Sequence, residues 1–205
     1  MIKTILWDFD GVIIDSMKVR DWGFVEIFKN YERSLVDKLL DYHRVNGGLS
    51  RYLKIRYFFE EVLGESITEE GVLMYAQMFS VLMKQELIDP KNLIHDSVHF
   101  IKENYQKYNF HIVSGSDQDE LKFLSKELTI SQYFISTHGS PTPKKRLVHN
   151  LLEKHKYNKD ETCLIGDSIN DYDAAMDNNI KFFSYNNDAI SHLGTHIYSF
   201  KNLNI

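Results

Sequence analysis

The chain has 205 residues, 43% of them hydrophobic, enough for one sizeable core or a core with a smaller companion. A net charge of −5 with no strongly basic stretch excludes nucleic acid as the expected partner, and no apolar run is long enough to span a membrane. One cysteine permits no intrachain disulfide, and Asp8 and Asp10 interrupt the apolar run that a secretory signal would need, so a soluble cytoplasmic protein is expected.

In chain order, the first predicted element is a strand over Thr4–Asp8, short, apolar and closed by Gly11. Four helical patterns follow, over 17–31, 34–45, 50–63 and 68–87, punctuated by Asn46-Gly47-Gly48, Gly64 and Ser66-Ile67-Thr68. Asp89-Pro90 reads as an N-cap with proline at the first helical position, starting the helix that returns to the first unit. Beyond it, strands are predicted over Phe110–Val113, Tyr133–Thr137, Thr162–Ile165 and Lys181–Tyr185, with a weaker one near His196–Phe200. Helical stretches over 117–128 and 143–156 separate them. Short, nearly all-apolar strands are the mark of a parallel sheet buried on both faces. Strand–helix alternation then predicts an α/β fold, a doubly wound Rossmann-like parallel sheet over 1–16 and 88–205, with a helical insertion over 17–87. The crossings near residues 16 and 88 form the expected hinge. Cys163, in Thr162-Cys163-Leu164-Ile165, reads as a buried inert thiol.

Ligands of open α/β sheets bind beyond the carboxyl ends of the strands, and that is where the chemistry-bearing residues fall. Asp8 and Asp10 close the first strand, and their i, i+2 spacing lets both face one ligand; capping a turn is the bland alternative. Gly166-Asp167-Ser168-Ile169-Asn170-Asp171 repeats the pattern of strand, glycine and acids. Ser168-x-x-Asp171 also fits a capping box, which accounts for Asp171 but not for Asp167. Acids at two strand ends suit a hard divalent cation such as Mg²⁺. Ser114, in Val113-Ser114-Gly115-Ser116, sits at a strand end before a helix whose free N–H groups would bind an anion such as phosphate; Ser116 reads better as that helix's cap. In Ser140-Pro141-Thr142-Pro143-Lys144-Lys145, Thr142 reads as N-cap and Pro143 as the first helical residue, and lysines in the first turn oppose the helix dipole, a broken local rule that points to function, with a solvated lysine as the reading for Lys145. Acids, a hydroxyl, helix N-termini and a lysine together handle a phosphoryl group on a metal ion, and a carboxylate can attack phosphorus while a second acid moves the proton.

Asp8-Phe9-Asp10-Gly11-Val12, Ser114, Lys144 and Gly166-Asp167-Ser168-x-x-Asp171 occur in this order across nearly the whole chain, and in this the sequence resembles the haloacid dehalogenase superfamily of aspartyl-phosphate phosphohydrolases. The resemblance implies Asp8 as nucleophile and Asp10 as general acid/base. It implies Mg²⁺ on Asp8, the Asp10 backbone carbonyl and Asp167, with Asp171 supporting, and the phosphoryl group on Ser114, Gly115 and Lys144. Many members carry the lysine as Lys-Pro-x-Pro, where this chain has Ser140, so the resemblance implies that Lys144 takes the role from the helix start, as in other members, with Lys145 as the fallback. The insertion is similar to the small helical cap of the phosphoglycolate-phosphatase-like and β-phosphoglucomutase-like branch. Gly48-Leu49-Ser50-Arg51 resembles the cap loop of the mutases, whose arginine binds the distal phosphate of the substrate. Gly47 stands where the mutases carry a lysine, and Arg20 where they carry a histidine. Arg51 and Arg20 are thus the candidate anion contacts of the cap, against the reading of each as a surface arginine. Tyr52, Tyr57, Phe58 and Phe59 read as the cap's own core.

The reading that results is a Mg²⁺-dependent phosphatase of a small phosphate ester, a sugar phosphate or related acid phosphate, acting as monomer or homodimer. The alternatives are a phosphosugar mutase and a non-catalytic phosphoacceptor or binding protein on the same fold. A phosphonatase needs a Schiff-base lysine in the cap, and Lys18, Lys29, Lys38 and Lys54 offer no distinctive setting in the sequence.

Overall fold

A computed structural model describes residues 1–201, 203 and 205; Asn202 and Asn204, within the expected 88–205 segment, lie outside the described residues. Six parallel strands form one sheet in the order β3-β2-β1-β4-β5-β6, namely β1 (Thr4–Trp7), β2 (Asn109–Asp117), β3 (Ser136–Ser140), β4 (Thr162–Gly166), β5 (Lys181–Tyr185) and β6 (Thr195–Ile197). β1 is central, with Trp7 opposite Ile112 on one side and Ile165 on the other. Every residue of β1 is buried, and its alternation divides the core. Leu6 meets Val148 and Leu151 of α7 (Lys144–His155) and Ala174 and Ala175 of α8 (Ile169–Asp177). Ile5 and Trp7 face the opposite layer, where Trp7 packs on Phe100 of α5 (His95–Asn104), on Phe110 and on Phe200. The chain steps from β1 outward to β2 and β3, then returns to lay β4 on the other flank of β1, so the ends of β1, β2 and β4 meet at a topological switch point.

Between β1 and α5 stand four helices, α1 (Met17–Ile27), α2 (Arg33–Val45), α3 (Arg51–Tyr57) and α4 (Glu69–Glu86). α3 continues into one π-helical turn, Phe58–Leu63, which Gly64 ends with φ 69°. That turn brings Phe58 to 4.2 Å from Phe28, while Phe24 lies 4.5 Å from Phe79. Phe58 and Phe59 are buried and Tyr57 stacks on Tyr42, but Tyr52 departs from the expected cap core: its hydroxyl donates to Asp117 Oδ2 at the end of β2, 2.7 Å away. The two crossings run side by side, with Asp15 N donating to Asn92 O and Ile94 N to Ile13 O.

Some boundaries differ from the sequence expectations. Asp89-Pro90 opens a single 3₁₀ turn, Pro90–Asn92, and α5 begins only at His95, because Leu93 first bridges to Ile14. The apolar residues expected to start β3 serve its approach instead: Ser131–Tyr133 is a 3₁₀ turn, Tyr133 packs on Tyr105, and the strand itself is Ser-Thr-His-Gly-Ser. β2 continues past Val113 to Asp117. After Ile197 the chain leaves the sheet, since Phe200 N donates to Asp96 Oδ2 and its ring covers Trp7.

Candidate active site

Beyond the end of β1, Gly11 turns the chain with φ 74°, and a Cβ there would lie 1.9 Å from Asp167 Oδ2, so only glycine fits. The missing Cβ lets Asp167, at the end of β4, stand against Asp8. Gly166 does the same for Asp171, whose carboxylate would lie within 2.6 Å of a Cβ there. Asp8, Asp167 and Asp171 present oxygens that all lie within 4.8 Å of one another. Asp171 Oδ2 accepts from Ser168 N at 3.1 Å and from Ser168 Oγ at 2.6 Å, so the capping box is formed. Its other oxygen faces Lys144, which also stands 2.8 Å from Asp8 Oδ1. Asp171 is therefore both a cap and a member of the cluster. Lys144 is buried, whereas Lys145 is exposed beside Asp177, so Lys144 is the lysine brought to the acids. Lys144 opens α7 with Pro143, not Thr142, as N-cap.

Three carboxylates against one ammonium leave a deficit of positive charge. Burial, then repulsion from Asp171, push Asp8 up to about 7 against the pull of Lys144. Burial, then Asp8 and Asp171, hold Asp167 well above the usual carboxylate range. An all-oxygen donor set short of positive charge fits a hard divalent cation.

Asp10 lines the same 30 Å³ cavity as Asp8, Ser114 and Asp167, but its side chain is turned from the acidic triad. Oδ1 accepts from Ser16 Oγ at 2.5 Å and Arg20 Nε at 2.6 Å, and Oδ2 from Ser116 Oγ at 2.5 Å. Burial opposes its charge, but Arg20 and the Ser116 and Ser16 hydroxyls outweigh it and hold Asp10 below its ordinary value. Ser116 is thus a partner of Asp10, not a helix cap. The cap of α6 (Gln118–Glu127) is Asp117, whose Oδ1 accepts from Asp119 N and Glu120 N. Those N–H groups are satisfied within the protein, so the start of α6 is not the free anion site expected from the sequence. Ser114 Oγ accepts from Ser116 N at 3.1 Å, which leaves its hydroxyl proton to donate. Gly115 is where the cap loop lands: a Cβ there would lie 2.1 Å from Gly48 O.

Arg20 and Arg51 are both buried and converge on one carboxylate, Glu120 of α6, itself fully buried. Arg20 Nη2 donates to Glu120 Oε1 at 3.1 Å and Arg51 Nη1 to Oε2 at 2.7 Å. Arg51 Nη1 also donates to Ser80 Oγ at 2.7 Å, and its guanidinium lies 4.7 Å over the ring of Phe79. Sequence reasoning passed over Glu120 and Ser16, placed Ser116 as a cap, and saw no setting for Lys54, which is buried against His43. Glu120 and Lys54 sit in ordinary helical patterns, and no local signal marks them; Ser16 and Ser116, each next to a helix start, were legible only as caps.

The closed space is small. The 30 Å³ cavity continues past Asp10 into a 20 Å³ lobe lined by Arg51 and Lys54. A water needs about 10–15 Å³, so these spaces take no more than a few atoms in this arrangement. A wider crevice of 540 Å³ lies outside the loop, between Leu49 and Tyr52 and the start of α7. No described helix is long and apolar enough to cross a membrane.

A family model described as hydrolase, haloacid dehalogenase-like hydrolase, matches residues 2–177. No curated protein matches the chain. The fold is similar to that of CbbY from Rhodobacter sphaeroides, solved with phosphate, at TM-score 0.79 and 13% identity over 99% of this chain and 96% of that one. It is similar to β-phosphoglucomutase from Clostridium difficile, with TM-score 0.77, 15% identity and coverage of 100% and 94%. A predicted phosphoglycolate phosphatase from Haemophilus somnus gives TM-score 0.70 and 15% identity over 100% of this chain and 89% of that one. At such identities the likeness is one of fold.

Proposed function

The chain belongs to the haloacid dehalogenase-like hydrolases, and from that premise we propose a Mg²⁺-dependent phosphatase of a small phosphorylated metabolite, a sugar phosphate or related acid phosphate, acting through an aspartyl-phosphate. The observation that carries this reading is the meeting of Asp8 and Asp10 from beyond β1, Ser114 from within β2 and Asp167 from beyond β4 around one cavity. Asp8 attacks phosphorus, and the bond from phosphorus to the alcohol oxygen breaks as Asp10 gives that oxygen its proton. Water then attacks the phosphoryl group on Asp8 and loses its proton to Asp10, which frees phosphate and restores both acids. Donors from Arg20, Ser16 and Ser116 favour the ionised Asp10 that accepts a proton; the negative charge of a bound ester favours the protonated form that donates one. Ser114, the Gly115 backbone and Lys144 hold the phosphoryl oxygens. Mg²⁺ on Asp8, Asp167, Asp171 and the Asp10 backbone carbonyl would offset charge on those oxygens. Residues 17–87 act as a cap that lifts about the paired crossings to admit the ester.

The test is phosphate release from a panel of monoesters with Mg²⁺ and with EDTA. Release that EDTA abolishes is expected. No release from folded protein, with isomerisation of a hexose phosphate in its place, would move the reading to a mutase.

A further inference from the structure

Arg20 on α1 and Arg51 on α3 end on one carboxylate across the seam, Glu120 on α6. Arg20 takes one oxygen of Glu120 and Arg51 the other, and all three side chains are buried. Arg20 also donates through Nε to Asp10 Oδ1, and Arg51 through Nη1 to Ser80 Oγ. Arg51 Nη2 has no partner, yet the charge it shares is already matched by Glu120.

The charges of this join balance. Arg20 and Arg51 bring two positive charges, and Asp10 and Glu120 two negative ones. Lys54 is the other cation close by. Its Nζ donates to His43 Nδ1 at 2.8 Å and to Gly47 O at 3.2 Å, and burial, then Arg20, push it down to about 7. Above that pH it is a neutral amine, and His43, pushed down to about 2 by burial and then by Lys54, is neutral as well. A second anion brought here therefore meets no unmatched cation. For Arg51 to turn to it, Glu120 would be left to share Arg20 with Asp10, two buried carboxylates on one guanidinium, which is strongly unfavourable. The rim of the seam repels anions too. Ser80 also lines a 360 Å³ pocket where Asp117 and Asp119 stand against a single cation, Lys84.

We infer that Glu120 determines specificity: it holds both arginines of the cap, so the preferred ester has an uncharged leaving group and carries no anion besides its phosphoryl group. The inference rests on the phosphatase reading above, and within it selects esters of neutral alcohols over phosphates of acids and over bisphosphates. Position supports the assignment. Asp10 serves the leaving oxygen, and Arg20 alone bridges Asp10 to Glu120, so the leaving group lies one side chain from this join. A carboxylate or second phosphate on it meets like charge, whereas a hydroxyl does not.

The experiment ranks the ester panel by kcat/KM at about pH 8.5, where Lys54 is neutral. The panel includes two matched pairs, glycerol phosphate with phosphoglycerate and a hexose monophosphate with the hexose bisphosphate. Wild type is expected to rank an uncharged-leaving-group ester first, and to favour the uncharged member of a pair by about 10-fold or more. Glu120→Gln keeps the size of the side chain and removes its charge. It is expected to raise kcat/KM on the anionic member, relative to the uncharged one, by about 10-fold or more, chiefly through KM. An equal change on both members assigns Glu120 a purely structural role and overturns the inference while leaving the phosphatase reading intact. A wild type that ranks an anionic ester first, or treats the members of a pair alike, overturns it as well, even if Glu120→Gln does not fold. No release from any ester by wild type overturns the phosphatase reading and this inference with it.

Discussion

At the scale of single residues, the site is governed by which charges are compensated. Lys54 gives a direct check. Unfolded, it keeps its proton up to its ordinary value of 10.5; folded, it releases the proton at about 7. Between these values the unfolded chain binds more protons, so raising the pH stabilises the fold. The urea midpoint of wild type, taken relative to Lys54→Met, should therefore rise from pH 7 to pH 9.5; a flat or falling difference would show that Lys54 is not held as a buried, uncompensated amine. Gly11 gives a second check. Alanine there meets a positive φ and a Cβ 1.9 Å from Asp167 Oδ2, so Gly11→Ala should lower stability by about 1 kcal/mol or more and weaken Mg²⁺ binding by calorimetry. Unchanged Mg²⁺ affinity would mean that Asp167 is not a ligand. Asp8, Asp10, Asp167, Asp171, Ser114 and Lys144 were all legible in the sequence because each sits at a strand end or a helix start, where spacing alone restricts what a side chain can face. Lys54 and Glu120 were not. Their surroundings come from residues far along the chain, Glu120 meeting Arg51 across 69 positions and Arg20 across 100.

At the scale of elements, strand ends and helix starts place the chemistry. β1, β4 and β5 lie inside the sheet and are read as apolar runs, because burial on both faces leaves polar residues no partner. β3 lies at the sheet edge, where half-exposed positions carry serine, threonine and histidine, and its apolar approach was mistaken for the strand. Asp117 shows one residue serving two elements. It caps α6 and accepts the hydroxyl of Tyr52 from α3. Asp117→Ala removes both the cap and the acceptor of Tyr52 and should cost about 1–2 kcal/mol, while Tyr52→Phe removes the single hydrogen bond alone and should cost about 1 kcal/mol or less. Thermal denaturation of the two variants orders them; a larger loss for Tyr52→Phe would place the stability in the cap contact instead of the helix start.

At the scale of the molecule, cap and core are joined by buried charge. Glu120 belongs to the core, and its two arginines belong to the helices between Met17 and Glu86. Removing it leaves Arg51 without a carboxylate, while Arg20 keeps Asp10, so Glu120→Ala should cost about 3–5 kcal/mol, read by urea denaturation; a loss below 1 kcal/mol would show that water or another acid already compensates Arg51. The same join accompanies the tight space beside Asp10, two cavities of 20 and 30 Å³. The alternation of strands and helices, and the helical insertion after the first strand, follow from hydrophobic patterning. How the cap docks does not, because docking depends on side chains that meet only in three dimensions.

Everything in the proposed chemistry turns on Asp8 as the group that takes the phosphoryl. The direct measurement is the rate of Mg²⁺-dependent phosphate release by Asp8→Asn on the best ester of the panel, with circular dichroism confirming the fold. A fall of about 1,000-fold or more is predicted, since an amide cannot form the aspartyl-phosphate. Near-normal release by Asp8→Asn would contradict the account.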